Sequence, residues 1–408
     1  MTENRSVNPR PFLPAGLRAG LRTGVLVILF LGLFSVSASA ESQEYTPERY
    51  RAIPELSVGD VDGTLALTRV ESIIVVGSRV LVSQPSERVI RVLDAESGEL
   101  LAEWGGTGEG PGEMRQLAAM SVVGSSVIVV DRQLDRVTTF TLDGGLVGSE
   151  RFHRHEPSPP FTTVGFIFPA SHGTLVAMES VTVSQSEAVP DLFPARLVDL
   201  IGNVIDTLPA RATKDGSVVL PREGVGARVF SRPLHRADRF AMSVDGSRFV
   251  QARDREGTGL SLAIYHIEDR RTEMVDLGIP PVPVPPDEVA RLEEAVVDAL
   301  GARGAPTGHS RAEVVRALAL PSWIPAVDEM FVTASGETWL REPAFRTATH
   351  VWRVVGPDGS ITATVEVPRG IVLRDRDGDH LWGFRVDPAF GVTSVERLRL
   401  EAVSDGEE

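Results

Sequence analysis

Ser78-Arg79-Val80-Leu81-Val82, then Arg88-Val89-Ile90-Arg91-Val92-Leu93, a turn around Asp94 to Gly98, and Glu99-Leu100-Leu101 make one pass of a pattern that the chain writes twice. The second pass comes about 47 positions later. It reads Ser126-Val127-Ile128-Val129-Val130, Arg136-Val137-Thr138-Thr139-Phe140 and Asp143-Gly144-Gly145-Leu146-Val147. Each pass holds short runs rich in β-branched and apolar residues, separated by polar or glycine turns, which is the composition of strands joined by tight turns. Such a unit cannot bury its apolar residues alone. Stacking four-stranded units around an axis solves that problem, so the repeat predicts an all-β fold, a β-propeller with one blade per repeat.

Outward from the repeat the pattern loosens but persists. Phe161 to Ile167, Thr174 to Ser180, Ala195 to Asp199 and Val204 to Leu208 read as a third blade. A fourth starts near Arg239 and contains the hairpin Met242 to Val250, whose Asp245-Gly246 pair is a strong turn signal. A fifth spans Glu329 to Val367 and a last group Ile371 to Leu400, so six blades is the natural count. Ahead of them Ile53 to Gly59 reads as a lone strand, able to complete the last blade and remove an open sheet edge. The propeller is expected over 53–402, with 41–52 a polar lead-in and 403–408 an acidic tail.

One segment breaks the strand rhythm. After the stiff run Pro280 to Pro286, Asp287 looks like a helix N-cap, and Val289, Leu292, Val296 and Leu300 follow at helical spacing up to Gly301. Ser310 to Glu313 is a capping box opening a second helix, with Val314, Val315 and Leu318, that runs through Leu320 and stops at Pro321. Residues 280–325 are therefore expected as a short helical insertion in the propeller, too small to bury a core of its own.

The first forty residues are different material. Arg18 and Arg22 precede the apolar run Gly24 to Phe34, and Ser37-Ala38-Ser39-Ala40 supplies small residues for cleavage after Ala40. That order is the pattern of a secretory signal peptide over 1–40, and the run is shorter than a stable membrane span requires. An uncleaved anchor is the competing reading. Removing 1–40 leaves 37 basic against 55 acidic residues, a charge of −18. An exported chain so acidic is a poor partner for nucleic acid, whose phosphates it repels. With no cysteine, disulfides, thiolate metal ligands and a cysteine nucleophile are excluded. Lys214 is the only lysine, so a Schiff base or a phosphate-loop lysine has one possible position.

Four motifs invite chemistry. Trp104-Gly105-Gly106-Thr107-Gly108-Glu109-Gly110-Pro111-Gly112-Glu113-Met114 lacks the Gly-Lys-Ser/Thr of a nucleotide loop and no helix signal follows, so it reads as a turn between blades. Asp375, Asp377 and Asp379 alternate around Gly378 and offer hard oxygen ligands for calcium, but no distal glutamate follows and a solvated turn competes. His153-Arg154-His155-Glu156 offers two imidazoles and a carboxylate with no further protein ligand identifiable, so a polar loop competes with zinc. Trp339, Trp352 and Trp382 fall in strands, where packing competes with a sugar platform.

Arg136 to Phe140 with its Asp-Gly turn, and Trp104-Gly105-Gly106 leading into Gly108 to Glu113, resemble NHL-type repeats. The layout from about 54 to 400 is similar to the exported six-bladed β-propeller proteins common in environmental bacteria. The pieces that carry this are Leu56 to Gly59, the helical insertion ahead of Trp323 to Glu329, Ser335 to Trp339 and Asp379 to Gly383. The resemblance implies a fold; that family brings no agreed activity or catalytic motif. The expectation is a non-catalytic binder of a protein, peptide or glycan at the loop face or central funnel, without a cofactor. The rival is a metal-dependent propeller enzyme of lactonase or lyase type. Asn203 is the single asparagine after residue 40, which weakens a site built from carboxylates, histidines and asparagines.

Overall fold

A computed structural model describes residues 47–59, 65–155, 162–181, 192–212, 217–222, 226–231, 233–234, 238–255, 259–302, 310–345, 347–387, 389 and 391–404. The expected signal peptide with Ala40, residues 41–46 of the lead-in, Glu156 and residues 405–408 of the tail lie outside them.

Strand β1 (Glu48–Val58) comes first. Four antiparallel four-stranded sheets follow in chain order. They are β2 (Ile73–Val76), β3 (Arg79–Gln84), β4 (Val89–Asp94) and β5 (Leu100–Gly105); then β6 (Leu117–Val123), β7 (Ser126–Asp131), β8 (Arg136–Thr141) and β9 (Leu146–Arg151). The third holds β10 (Thr162–Ala170), β11 (Thr174–Val181), β12 (Leu192–Val198) and β13 (Val204–Ala212). After a hairpin of β14 (Ser217–Arg222) and β15 (Gly226–Ser231), the fourth holds β16 (Arg239–Met242), β17 (Arg248–Arg255), β18 (Gly259–His266) and β19 (Arg271–Ile279). Next come β20 (Val282–Pro283), α1 (Pro286–Ala302), α2 (Arg311–Leu318) and β21 (Trp323–Ile324). Last are β22 (Glu329–Val332), β23 (Thr338–Arg341), β24 (Thr349–Val355), β25 (Ile361–Pro368), β26 (Ile371–Asp377), β27 (His380–Val386) and β28 (Thr393–Ala402).

Six separate sheets were expected; four stand alone among the described residues. The remaining eight ring strands form one sheet in the order β22-β23-β24-β25-β1-β28-β27-β26. The cause is β1. It pairs antiparallel with β28 from Tyr50 to Val58, while Glu48 to Arg51 pair parallel with Ala363 to Glu366 of β25. Because both edges find partners, β1 starts at Glu48, inside the stretch expected as lead-in.

The arrangement is propeller-like because the apolar clusters lie between successive groups of strands. Ile74, Leu81 and Ile90 pack with Leu117, Val127 and Phe140; Val130 and Val137 with Ile167 and Leu175. Val176 and Leu197 meet Phe249 and Tyr265, and Leu262 and Ile264 meet Met330 and Leu340. Trp339 and Trp352 meet Leu373 and Leu381. Closure comes where Trp382 and Val395 meet Ile73 and Val80. Middle strands are therefore covered on both faces, which is why they read as continuous apolar runs such as Val80-Leu81-Val82, while β5 and β9 at the outside are largely exposed. The three tryptophans at 339, 352 and 382 are buried in these clusters.

The doubled repeat is real, with one correction of register. Strands β3 and β7 start 47 residues apart, as do β4 and β8, so Arg136 is the counterpart of Val89 and not of Arg88. The residue matching Arg88 is Asp135. Both are left-handed, at φ 64° and 47°, because each closes the turn between the second and third strands.

The helices depart from expectation at their ends. Pro286 occupies the first position of α1, Asp287 and Glu288 fill the first turn, and the Pro285 carbonyl accepts from the Glu288 and Val289 amides. Proline has no amide to lose there and carboxylates suit the positive end, so Asp287 is a first-turn residue and not the cap. The capping box of Ser310 and Glu313 is present, and α2 stops at Leu318 because Ala319 is left-handed, two residues before the expected end at Leu320. Both helices pack with the β14–β15 hairpin. Val314 and Leu318 bury against Val218, with Val296 and Val297 alongside. The pairing of β20 with β21 clasps the base of the helical insertion.

Candidate functional site

The first strand of each four-strand group faces the axis, and these strands enclose a cavity of about 520 Å³. Ile73 and Ile74 come from β2, Met120 and Ser121 from β6, Phe166 and Phe168 from β10, Phe240 and Met242 from β16, Met330 and Phe331 from β22, and Arg374 from β26. One end is spanned by backbone. The Val122 amide donates to the Val244 carbonyl at 2.7 Å, and the Val244 amide donates to that of Val332 at 3.3 Å. At the other rim, chain leaves an outermost strand and enters the next innermost one. The β14–β15 hairpin follows outermost β13 and the segment of β20, α1, α2 and β21 follows outermost β19, so both arise at this kind of connection.

Charge collects where the inner strands begin. Glu71, Asp238, Asp328, Glu329, Arg211, Arg239 and Arg374 all line the cavity. The carboxylates are held. Asp238 accepts from the Ala212 amide at 2.8 Å and from Gln251 Nε2 at 2.7 Å, which pins the base of the hairpin insertion. Burial nonetheless pushes its carboxyl above the usual range. Arg341 pairs with Asp328 at 2.6 Å and with Glu329 at 2.5 Å, and Arg374 meets Glu329 at 2.7 Å. Arg211 is different: it stacks its guanidinium over Phe240, 5.4 Å from the ring centroid. Its buried Nε finds no hydrogen-bond partner among the described residues. Burial, and then the neighbouring Arg239 cation, lower its pKa. Phe166 and Phe168 set their edges against Phe240 at 5.4 and 6.0 Å, and Phe166 stays well exposed inside the axis.

A second cavity of about 430 Å³ adjoins the first through Glu71, Ala118, Phe166 and Phe168, and its wall carries Arg69, Arg88, Arg115 and Arg132. The glycine-rich loop supports this wall without joining it, since Gly110, Pro111 and Gly112 line neither cavity. Arg136 holds the loop, donating to the carbonyls of Glu109 at 2.9 Å, Gly110 at 3.2 Å and Glu113. The Arg115 and Gln116 amides donate to buried Asp131 at 2.6 and 3.2 Å.

The aspartates singled out for calcium do not gather. Asp375 is 2% exposed inside β26, where it accepts from the Val75 amide and from its neighbour Arg376, both at 2.8 Å. Desolvation lifts its carboxyl to about 7. Asp377, at the end of β26, and Asp379, in the turn that follows, are exposed. Among the described residues no three histidine or carboxylate groups are placed to hold a metal ion. His155 is buried beside Glu179 at 3.4 Å, Arg196 meets the same Glu179 oxygen at 3.4 Å, and His153 is exposed. Among the described residues no helix is long and apolar enough to cross a membrane.

No protein-family model matches the chain, and no curated protein does. Some solved structures are distantly similar to it. A member of the DUF4221 family from Bacteroides vulgatus is 9% identical, covers 88% of this chain and 100% of its own, and has a TM-score of 0.46. Regucalcin, a calcium-binding protein from Agrobacterium tumefaciens, is 12% identical over 88% of this chain and 98% of its own, with a TM-score of 0.40. The Swd1 β-propeller domain from Myceliophteria thermophila is 12% identical over 86% and 100%, with a TM-score of 0.35. At such distances the likeness concerns the fold and carries nothing about ligand or reaction.

Proposed function

We propose that this chain is an exported six-bladed propeller of NHL-like type, which captures part of a peptide, protein or glycan in its axial cavity without catalysis. In this reading the eight-stranded sheet counts as two blades joined through β1, one of β22–β25 and one of β26–β28 completed by β1. Support for that count is the buried cluster of Trp339, Trp352, Leu373 and Leu381 between the two halves. Support for export is the basic, apolar and small-residue order of residues 1–40, which predicts a secreted chain beginning at Glu41.

The observation that carries the binding reading is the axial cavity itself, about 520 Å³, where inner strands converge with apolar walls and a few charged groups. Small-ligand sites are usually of this size and lining. The test is to incubate the purified full chain with mixed short peptides and mixed oligosaccharides, then identify by mass spectrometry what stays bound. Ala118 lies where the two cavities meet, so Ala118→Trp should block retention while the melting temperature holds. Undiminished retention by a folded Ala118→Trp variant would overturn the cavity reading. Cleaved products, appearing only with added calcium or zinc, would replace the binder with the metal-dependent enzyme.

A further inference from the structure

We propose that the axial cavity recognises a monocarboxylate carried on a short apolar body, with Arg211 as the residue that receives the carboxylate. The inference rests on the cavity being the binding site and adds the chemistry of what enters it.

Three features converge. Arg211 lines the cavity at the end of β13, stacked on Phe240, with its buried Nε lacking a hydrogen-bond partner among the described residues. With its carbon over the ring and its Nε buried, the guanidinium has its two Nη groups to offer, and such a pair matches the two oxygens of a carboxylate. Arg374 is committed to Glu329 and Arg341 to Asp328, and among the described residues no ion pair joins Arg211 to Asp238, Asp328 or Glu329. Beside it, exposed Phe166 and the rings of Phe168 and Phe240 form an apolar wall that suits an aromatic or aliphatic group next to the anion.

The approach is also cationic. Arg69, Arg88, Arg115 and Arg132 line the adjoining cavity, in a chain whose formal charge is −15. A local reversal of sign against an acidic surface concentrates anions at the entrance. The same geometry limits the ligand's charge. Asp238, Asp328 and Glu329 share the inner cavity with Arg211, so a dianion meets repulsion that a monoanion tolerates.

The experiment uses N-acetylphenylalanine, its neutral amide N-acetylphenylalaninamide, glucuronate and inorganic phosphate, each titrated into the full chain at millimolar concentrations by calorimetry. The first should bind. The amide should bind at least about tenfold more weakly, because it loses the charge-assisted pair. Glucuronate, a carboxylate without the apolar body, and phosphate, a multivalent anion near neutral pH, should both be weaker still. Arg211→Gln should weaken N-acetylphenylalanine by about tenfold or more, with Arg211→Lys between it and wild type. Circular dichroism and melting temperature verify that the variants fold, and Arg132→Gln serves as a second variant away from the receiving group. It should slow association in low salt and leave dissociation unchanged. Equal binding of acid and amide, failure of the acid to bind, or full affinity in folded Arg211→Gln would each overturn the assignment. If peptides or sugars are still retained and Ala118→Trp still blocks them, the cavity reading survives that loss. If Ala118→Trp blocks nothing, the cavity reading itself falls.

Discussion

The ring of sheets and the satellite beside it solve the burial problem in different ways. In the ring, a strand such as β18 is covered along nearly its whole length, because a neighbouring sheet lies on each face. Among the described residues, the apolar cluster of α1, α2 and the β14–β15 hairpin has three buried members, Val218, Val314 and Leu318. A ring whose last cluster meets its first has no weak end from which to open, whereas a small patch held by few side chains opens locally at modest cost. The comparison teaches that rigidity and adaptability are separated here. The sheets fix Phe240, Glu329 and Arg374, and the satellite belongs to a rim that can alter without unmaking them.

The largest effect expected on the ring side comes from Asp375, whose carboxylate bridges β26 to the Val75 amide of β2, where the circle closes. Its folded pKa is about 7 against 3.8 when exposed, chiefly through desolvation. A group raised in this way gives stability that is complete below the unfolded value and lost as pH climbs through the folded one. Relative to an Asp375→Asn variant, the wild type should lose up to about 4 kcal/mol between those two pH values. Urea midpoints measured across that window give the difference. A flat difference would show that the ionised form is already accommodated, and that ring closure does not depend on this proton.

Next in size is Arg136→Met. Arg136 gathers the carbonyls of Glu109, Gly110 and Glu113, and its removal leaves them without that donor. A cost of about 3 kcal/mol is expected, since hydrogen bonds to a charged donor are worth more than neutral ones. Denaturant melts should report it as a global loss, because buried Met114 ties the same loop into the core between two sheets. Loss confined to proteolysis of the loop would move this segment to the satellite's side of the comparison.

Gly112→Val should cost less, about 2 kcal/mol, as backbone strain. Gly112 is at φ +80°, a conformation that β-branched residues avoid, while a Cβ there would meet Phe140 at no closer than 3.7 Å. Space is therefore adequate and the penalty is conformational. Gly112→Ala, with less bulk and the same φ, should recover part of the stability; full recovery would show that bulk in a tight space, and not the backbone conformation, sets the cost.

What was legible in the sequence divides along the same line. Val80-Leu81-Val82 and Val127 to Val130 announce two-sided burial directly, and Ser310 with Glu313 announces a helix start, because each signal is local. The one-residue slip between Arg88 and Arg136 arose because Arg-Val recurs in both copies, while the true marker is a left-handed backbone at Arg88 and Asp135 that residue type does not advertise. Strand β1 was readable from Ile53, but its extension to Glu48 depends on a parallel partner in β25 more than 300 residues away. The hairpin of β14 and β15 was missed although Ser217 to Leu220 follows Asp215-Gly216, a usable turn signal. Arg211, Phe240, Glu329 and Arg374 could not be found as a group, since each comes from a different strand and no motif contains two of them.

The smallest expected effect is the sharpest test of the comparison. Ser310 caps α2 by accepting from the Glu313 amide at 3.3 Å, while its own amide donates to the Glu313 carboxylate at 2.7 Å. Ser310→Ala removes half of this exchange and should cost about 1 kcal/mol. If the satellite opens on its own, that cost belongs to α2 alone. Amide hydrogens of Val314 and Val315 should then exchange about fivefold faster, as one kcal/mol implies, while those of β18 and β24 and the global melting midpoint stay unchanged. The reasoning fails in one informative way. A fall in the global midpoint equal to the whole cost would mean that α2 unfolds only with the sheets. Val218, Val314 and Leu318 would then be part of the ring's cooperative core, and the rim over the cavity would be as rigid as its walls.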